Sequence, residues 1–258
     1  MATTIFHVNA FIDQPFNGNP AAICILDEEK STDWMQSVAA QMNLSETAFV
    51  TRLKEDVFEL RWFTPLKEVD MCGHATLASA HSLWQSQQVP VDQSIKFHTL
   101  SGILGARLQN NLIQLDFPLT QAVAAPAPTA LINALAIKPI YSAKFGEKYL
   151  LQVASEEEVH AILPDFAAML ALTERGVTVT SQSTSDKYDF ISRYFAPWVG
   201  ISEDPVNGSS HCALAPFWAK ELGKQQLLAY QASQRSGELA LEILTDRVHI
   251  SGKAITIM

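Results

Sequence analysis

Met71-Cys72-Gly73-His74-Ala75-Thr76-Leu77-Ala78-Ser79-Ala80-His81-Ser82-Leu83-Trp84 opens on small residues and continues as a helix that is apolar on nearly every side. A helix without a polar face is either buried or crosses a membrane, and a span needs about 20 apolar residues. This stretch is too short for that, so it predicts the central helix of a domain. Its first N–H groups have no partner within the helix, and the helix dipole favours negative charge there. The start at Gly73-His74 is therefore a candidate anion site.

Around this helix the chain reads as strands. Thr4 to Asn9, Ala21 to Leu26, Thr47 to Thr51 and Val57 to Phe63 are short β-rich runs. They are separated by a turn-rich Asn17-Gly18-Asn19-Pro20 and by a helix from Thr32 to Met42 with Ser31 or Thr32 as its cap. Ile95 to Thr99, Ile103 to Leu108 and Leu112 to Phe117 read as a meander with turns at Ser101-Gly102 and Asn110-Asn111. Pro118 to Pro128, with three prolines and no periodic pattern, is the best boundary. The expected domains are 1–118 and 119–246, with a last strand at 247–258 that returns to the first.

The second half repeats the first. Phe58-Glu59-Leu60-Arg61-Trp62-Phe63-Thr64-Pro65 and Phe190-Ile191-Ser192-Arg193-Tyr194-Phe195-Ala196-Pro197 share the pattern F-x-x-R-(aromatic)-F-x-P. A Gly-led helix of small residues follows each copy: Gly73 lies eight positions after Pro65, and Gly208 eleven after Pro197. Agreement of both the octapeptide and the following helix argues for an ancestral duplication. The expected architecture is α+β, with two pseudo-symmetric domains. Each is a curved, mostly antiparallel, barrel-like sheet around one buried helix. The starts of the two helices are expected to face a shared cleft.

Composition narrows the function. A net charge of -9 speaks against a nucleic-acid or membrane-surface binder, since both need basic patches. Three scattered cysteines, Cys24, Cys72 and Cys212, make no disulfide framework. The first residues lack the charged and apolar regions of a signal peptide. A reduced, cytoplasmic protein is expected. His74 and His81 stand about 10 Å apart along a helix and cannot chelate one metal together. No HExxH or CxxC spacing occurs, so no metal is expected.

Val8-Asn9-Ala10-Phe11, Gly18-Asn19-Pro20-Ala21-Ala22, Asn43-Leu44-Ser45-Glu46-Thr47-Ala48-Phe49, Arg61-Trp62-Phe63-Thr64-Pro65, Cys72-Gly73-His74-Ala75-Thr76-Leu77-Ala78 and Glu203-Asp204-Pro205-Val206-Asn207-Gly208-Ser209 occur in that order. Through them nearly the whole chain resembles the PhzF-type isomerases of phenazine biosynthesis, which share the diaminopimelate epimerase and proline racemase fold. The resemblance implies a cofactor-free enzyme, commonly a homodimer, that moves a proton on a small anionic carboxylic acid. It implies Glu46 as acid/base, with His74 and Asp204 as further catalytic groups. It also implies Gly73, Gly208, Ser209 and Asn19 around the substrate. Asn207 departs from the pattern, standing where Thr is usual.

Taken alone, these residues have plainer readings. Glu46 is a solvated loop carboxylate, His74 a buried or capping imidazole, Asp204 a turn residue before Pro205, and Ser209 a helix-cap hydroxyl. In a closed apolar cleft Glu46 is expected to have a raised pKa, while the helix dipole disfavours protonated His74. Met71-Cys72-Gly73-His74 also resembles the first cysteine motif of proline racemases. The start of the second helix has no cysteine, and Cys212 falls one turn inside it as a core residue. The leading reading is an isomerase. The alternatives are an epimerase or racemase working with Glu46, Asp204 or Cys72, and a silent small-acid binding protein.

Overall fold

The computed structural model describes residues 4–258, which divide into two compact units. One runs to Phe117 and takes back His249–Met258; the other is Pro118–Val248. Among the described residues no helix is long and apolar enough to cross a membrane.

The first unit contains β1 (Thr4–Ala10), β2 (Asn19–Leu26), α1 (Thr32–Met42), β3 (Glu46–Arg52), β4 (Val57–Phe63) and the two-residue β5 (Glu68–Val69). These lead into α2 (Gly73–Gln85) and the meander β6 (Ile95–Thr99), β7 (Gly102–Gln109) and β8 (Leu112–Pro118). β1 and β2 form an antiparallel pair, β2 and β3 a parallel one, β3 and β4 an antiparallel one, and β4 and β6 a parallel one. A parallel pair needs a crossover. Helix α1 lies in the first crossover, and β5 with α2 lies in the second.

The second unit repeats this order. β9 (Val123–Ala124) and α3 (Thr129–Leu135) precede β10 (Tyr141–Phe145) and β11 (Lys148–Gln152). Then come α4 (Glu156–His160), α5 (Phe166–Leu170), β12 (Gly176–Gln182), β13 (Phe190–Ala196), β14 (Ile201–Asp204), α6 (Gly208–Leu222), β15 (Gln226–Gln231) and β16 (Gly237–Ile243). Pairing again runs antiparallel, parallel, antiparallel, parallel, from β10 through β11, β12 and β13 to β15. After β17 (Arg247–Gly252), β18 (Ala254–Thr256) pairs with β1 in the first unit.

The repeated arginine has the same role in both copies. Arg61 grips Glu68 of β5 with two bonds of 2.8 Å, and Arg193 grips Glu203 of β14 at 2.7 and 2.9 Å. Each guanidinium also lies over the phenylalanine two residues on, Phe63 or Phe195. The pattern F-x-x-R-(aromatic)-F thus records a strand whose arginine holds the next short strand in place.

Helix α2 is buried along eleven of its thirteen residues. Its hydroxyls are tolerated there because they bond within the helix: Thr76 to Cys72 O, Ser79 to Ala75 O and Ser82 to Ala78 O. Helix α6 carries Pro216, which has no N–H for the carbonyl of Cys212. Thr120 N fills that gap by donating to Cys212 O at 3.1 Å.

Several sequence expectations need correction. Pro118 to Pro128 is not wholly irregular, since Val123–Ala124 forms β9 against β10. Both residues are exposed, so apolar patterning gives no signal there. Asp204 is not in a loop but is the last residue of β14. The cap of α6 is not Ser209 but Asn207, whose side chain accepts from Ser210 N.

Gly18 has φ +78°, and a Cβ there would stand 2.4 Å from Ala10 O and 2.8 Å from Ile12 Cγ2. The turn into β2 therefore excludes a side chain. Gly18→Ala is expected to cost about 3 kcal/mol, from left-handed strain plus overpacking against backbone. A urea midpoint unchanged from wild type would refute this.

Candidate active site

In the first unit, three elements bring Asn19, Glu46 and His74 together. Asn19 begins β2, Glu46 begins β3, and His74 is the second residue of α2. The parallel ladder sets Glu46 beside Ala21. The chain enters β3 sharply because α1 ends on Asn43 in the left-handed conformation, φ 51°. Glu46 is 8% exposed and His74 2%.

The imidazole has a polar neighbour at each nitrogen. Asn19 Nδ2 lies 3.0 Å from His74 Nδ1, and Glu46 Oε2 lies 3.2 Å from His74 Nε2. An amide nitrogen only donates, so Nδ1 accepts and Nε2 carries the proton, on the side of the ring that faces the Glu46 carboxylate. Burial lowers the His74 pKa to about 3, so the ring is neutral at physiological pH. The sequence reading expected a neutral ring from the helix dipole; desolvation is the cause here. Cys72, the N-cap of α2, places Sγ 3.5 Å from His74 Nδ1 and makes no side-chain cap bond to the helix. His81 is turned elsewhere, with Nε2 3.1 Å from Thr256 Oγ1 of β18.

The second unit builds a different cluster at the start of α6. Asn207 Nδ2 donates to Asp204 Oδ2 at 2.7 Å, and Asn207 Oδ1 accepts from Ser209 Oγ at 2.9 Å. Lys148 Nζ donates to Ser209 Oγ at 2.9 Å. Burial lowers the Lys148 pKa to about 8, with nearby Arg175 acting in the same direction. Gln231 clamps the turn before α6: its Nε2 donates to Asp204 O at 2.7 Å and its Oε1 accepts from Asn207 N at 2.8 Å. Lys148 and Gln231 escape a sequence reading because they are far in sequence from Ser209 and carry no motif. The one available signal is position: Lys148 pairs with Gly176 as Ala21 pairs with Glu46.

That ladder also shows how the halves diverged. Gly176 holds in β12 the place that Glu46 holds in β3. A Cβ on Gly176 would stand 2.1 Å from Tyr194 Oη, so the tyrosine occupies the space a carboxylate would need. Ser209 stands at the position of His74, and Asn207 at that of Cys72.

The family model described as phenazine biosynthesis-like protein, PhzC-PhzF, matches residues 8–258. The chain belongs to the PhzF family. An uncharacterised isomerase of Halalkalibacterium halodurans is 48% identical to this PhzF-family chain, over all of it and 97% of the relative. A crystal structure of a PhzF-family protein of Enterococcus faecalis superposes with TM-score 0.92 at 39% identity, covering 100% of this chain and 98% of that one. A probable proline racemase of Agrobacterium radiobacter shares the fold, with TM-score 0.67 at 10% identity over 99% of this chain and 91% of that one. Curated PhzF-family relatives are named isomerases, and the chain is an enzyme of that class.

One histidine of this PhzF-family chain sets an acid limit on folding. His211 Nδ1 lies 2.7 Å from Asn207 O, so Nδ1 carries the proton, and buried Nε2 has no hydrogen-bond partner among the described residues. Burial lowers its pKa to about 4 from 6.5. Between those values the unfolded chain takes up a proton that the folded one refuses, so stability falls as pH drops through the window. The loss is about 3 kcal/mol from pH 7 to pH 4. His211→Gln should therefore lose less on acidification than wild type. Parallel stability curves would contradict this.

Proposed function

We propose that the chain is a cofactor-independent isomerase that moves a proton on a small carboxylic acid, with Glu46 as the general acid/base. The observation that carries this reading is the buried Glu46 carboxylate set 3.2 Å from Nε2 of the neutral His74 imidazole. That contact fixes one carboxylate oxygen and leaves the group able to take a proton from carbon and return it elsewhere. The carbon lies next to a carbonyl or an unsaturated system, which accepts the developing charge. In this reading the first-turn N–H groups at Gly73-His74 receive the substrate carboxylate and steady that charge, and those at Gly208-Ser209 form the matching helix start of the second half. Asn19 sets the His74 tautomer, and Asp204 is the acid/base group of the second half. The internal repeat supports this division, because it gives each half a helix start with its own polar set.

A second reading is an epimerase. It is favoured by Cys72, whose thiol lies 3.5 Å from His74 Nδ1 and gives the first half another proton carrier beside Glu46. One experiment separates the readings. The protein is incubated in D2O with a panel of cyclic and amino carboxylic acids, and deuterium uptake, double-bond position and optical rotation are followed. Uptake with a shifted double bond supports the isomerase. Uptake with inversion at one carbon supports the epimerase. Binding without uptake would show a silent binding protein and overturn both.

A further inference from the structure

We propose that Glu46, Cys72 and His74 form a binding site for a thiophilic divalent cation of the zinc type. One ligand atom from each residue lies within 4.8 Å of the others. The measured edges are His74 Nε2 to Glu46 Oε2 at 3.2 Å and Cys72 Sγ to His74 Nε2 at 4.0 Å. Zinc bonds of about 2.0–2.2 Å to nitrogen and oxygen and about 2.3 Å to sulfur give tetrahedral edges of roughly 3.3 and 3.6 Å. These two edges therefore need to change by about half an ångström or less, while the Cys72–Glu46 edge, within 4.8 Å, closes by up to about 1 Å on binding.

Charge and ligand chemistry agree with the geometry. A thiolate and a carboxylate cancel the charge of a divalent ion, and the imidazole binds as a neutral ligand, so the buried site ends neutral. Sulfur and imidazole select zinc-like ions over magnesium or calcium, which prefer oxygen sets. Support for the imidazole is also in place. Asn19 lies 3.0 Å from Nδ1, and a turn of its amide presents Oδ1 to a proton on that nitrogen. On binding, the His74 proton moves from Nε2 to Nδ1, the Cys72 S–H bond breaks as the S–metal bond forms, and one proton leaves to solvent. A fourth position remains for water.

The ligands come from the start of β3 and the start of α2, so their numbers 46, 72 and 74 match no metal-binding spacing. The second unit acts as an internal comparison. Its corresponding positions are Gly176, Asn207 and Ser209, which offer neither thiolate, imidazole nor carboxylate. Loading the site also occupies the lone pairs of Glu46. The expectation that zinc silences turnover rests on the function proposed above; the binding itself does not.

Cobalt(II) chloride is the probe, added to metal-free protein. One equivalent per chain is expected to give a near-ultraviolet thiolate-to-cobalt band with intense tetrahedral visible bands. Zinc should erase both and magnesium should not. Cys72→Ser should lose the thiolate band and bind at least tenfold more weakly, while Cys24→Ser and Cys212→Ser keep it. His74→Gln, in a chain whose circular dichroism is unchanged, should weaken binding by a similar factor. A wild type without the thiolate band, or a band that survives in Cys72→Ser, would overturn the site. If cobalt and zinc bind as expected but zinc leaves deuterium exchange intact, the metal site stands and the role given to Glu46 fails.

Discussion

Glu46→Gln is expected to lower deuterium exchange and turnover by about a thousandfold, within the 10²–10⁴ range of a positioned acid/base group. The amide has nearly the shape of the carboxylate and can keep its oxygen beside His74 Nε2, so the fold and the start of β3 should persist. What it cannot do is take a proton from carbon. Glu46→Asp keeps the charge but draws it back by one methylene, and a displacement of about 1 Å is enough to cost roughly a hundredfold. The graded order of Glu above Asp above Gln is the signature of a proton carrier. A Gln variant within tenfold of wild type would mean that another group does the chemistry.

Arg193→Met is expected to destabilise the chain by about 2 kcal/mol, between the cost of breaking an exposed ion pair and that of breaking a buried one, since Arg193 and Glu203 are partly buried. Arg193 does more than hold Glu203. Its Nη1 also donates to the carbonyls of Ile162 at 2.8 Å and Val159 at 3.3 Å, which ties the end of α4 and the turn after it to β13. Methionine leaves Glu203 and these carbonyls without their donor. Arg61→Met should cost less, because its remaining bond is to a hydroxyl, Thr32 Oγ1 at 2.9 Å, and not to carbonyls. Denaturant midpoints of the two variants and of the double change Arg193→Met/Glu203→Leu test this. Equal losses at both arginines would show that the carbonyl bonds add nothing.

Much of this organisation was legible before any coordinates. The two F-x-x-R-(aromatic)-F-x-P strands and the Gly-led helices mark the repeat, because burial and a helix start constrain residue type directly. Glu46 could be singled out only through the family motif, since a carboxylate before an apolar run is usually solvated. The partners of Arg61 and Arg193 were not legible: Glu68 and Glu203 sit on strands too short to show alternation. Lys148 and Gln231 were missed for a related reason. Their bonds to Ser209 and to the turn at Asp204 depend on ladder register and helix placement, which the order of residues alone does not reveal.

The tyrosine that lies against Gly176 bears on the history of the chain. A duplicated chain begins with two equal halves, and here only one half has a glutamate at this position. Placing one in the other half is not a one-step event. An acidic side chain at position 176 collides with Tyr194 while the ring remains, and trimming the ring first leaves a cavity at a buried position with nothing gained. Each single step costs packing energy unless the other has already been taken. The split between a half with a glutamate at this position and a half with a glycine is thus a ratchet: packing keeps it from slipping back, whatever substrate selection later demands.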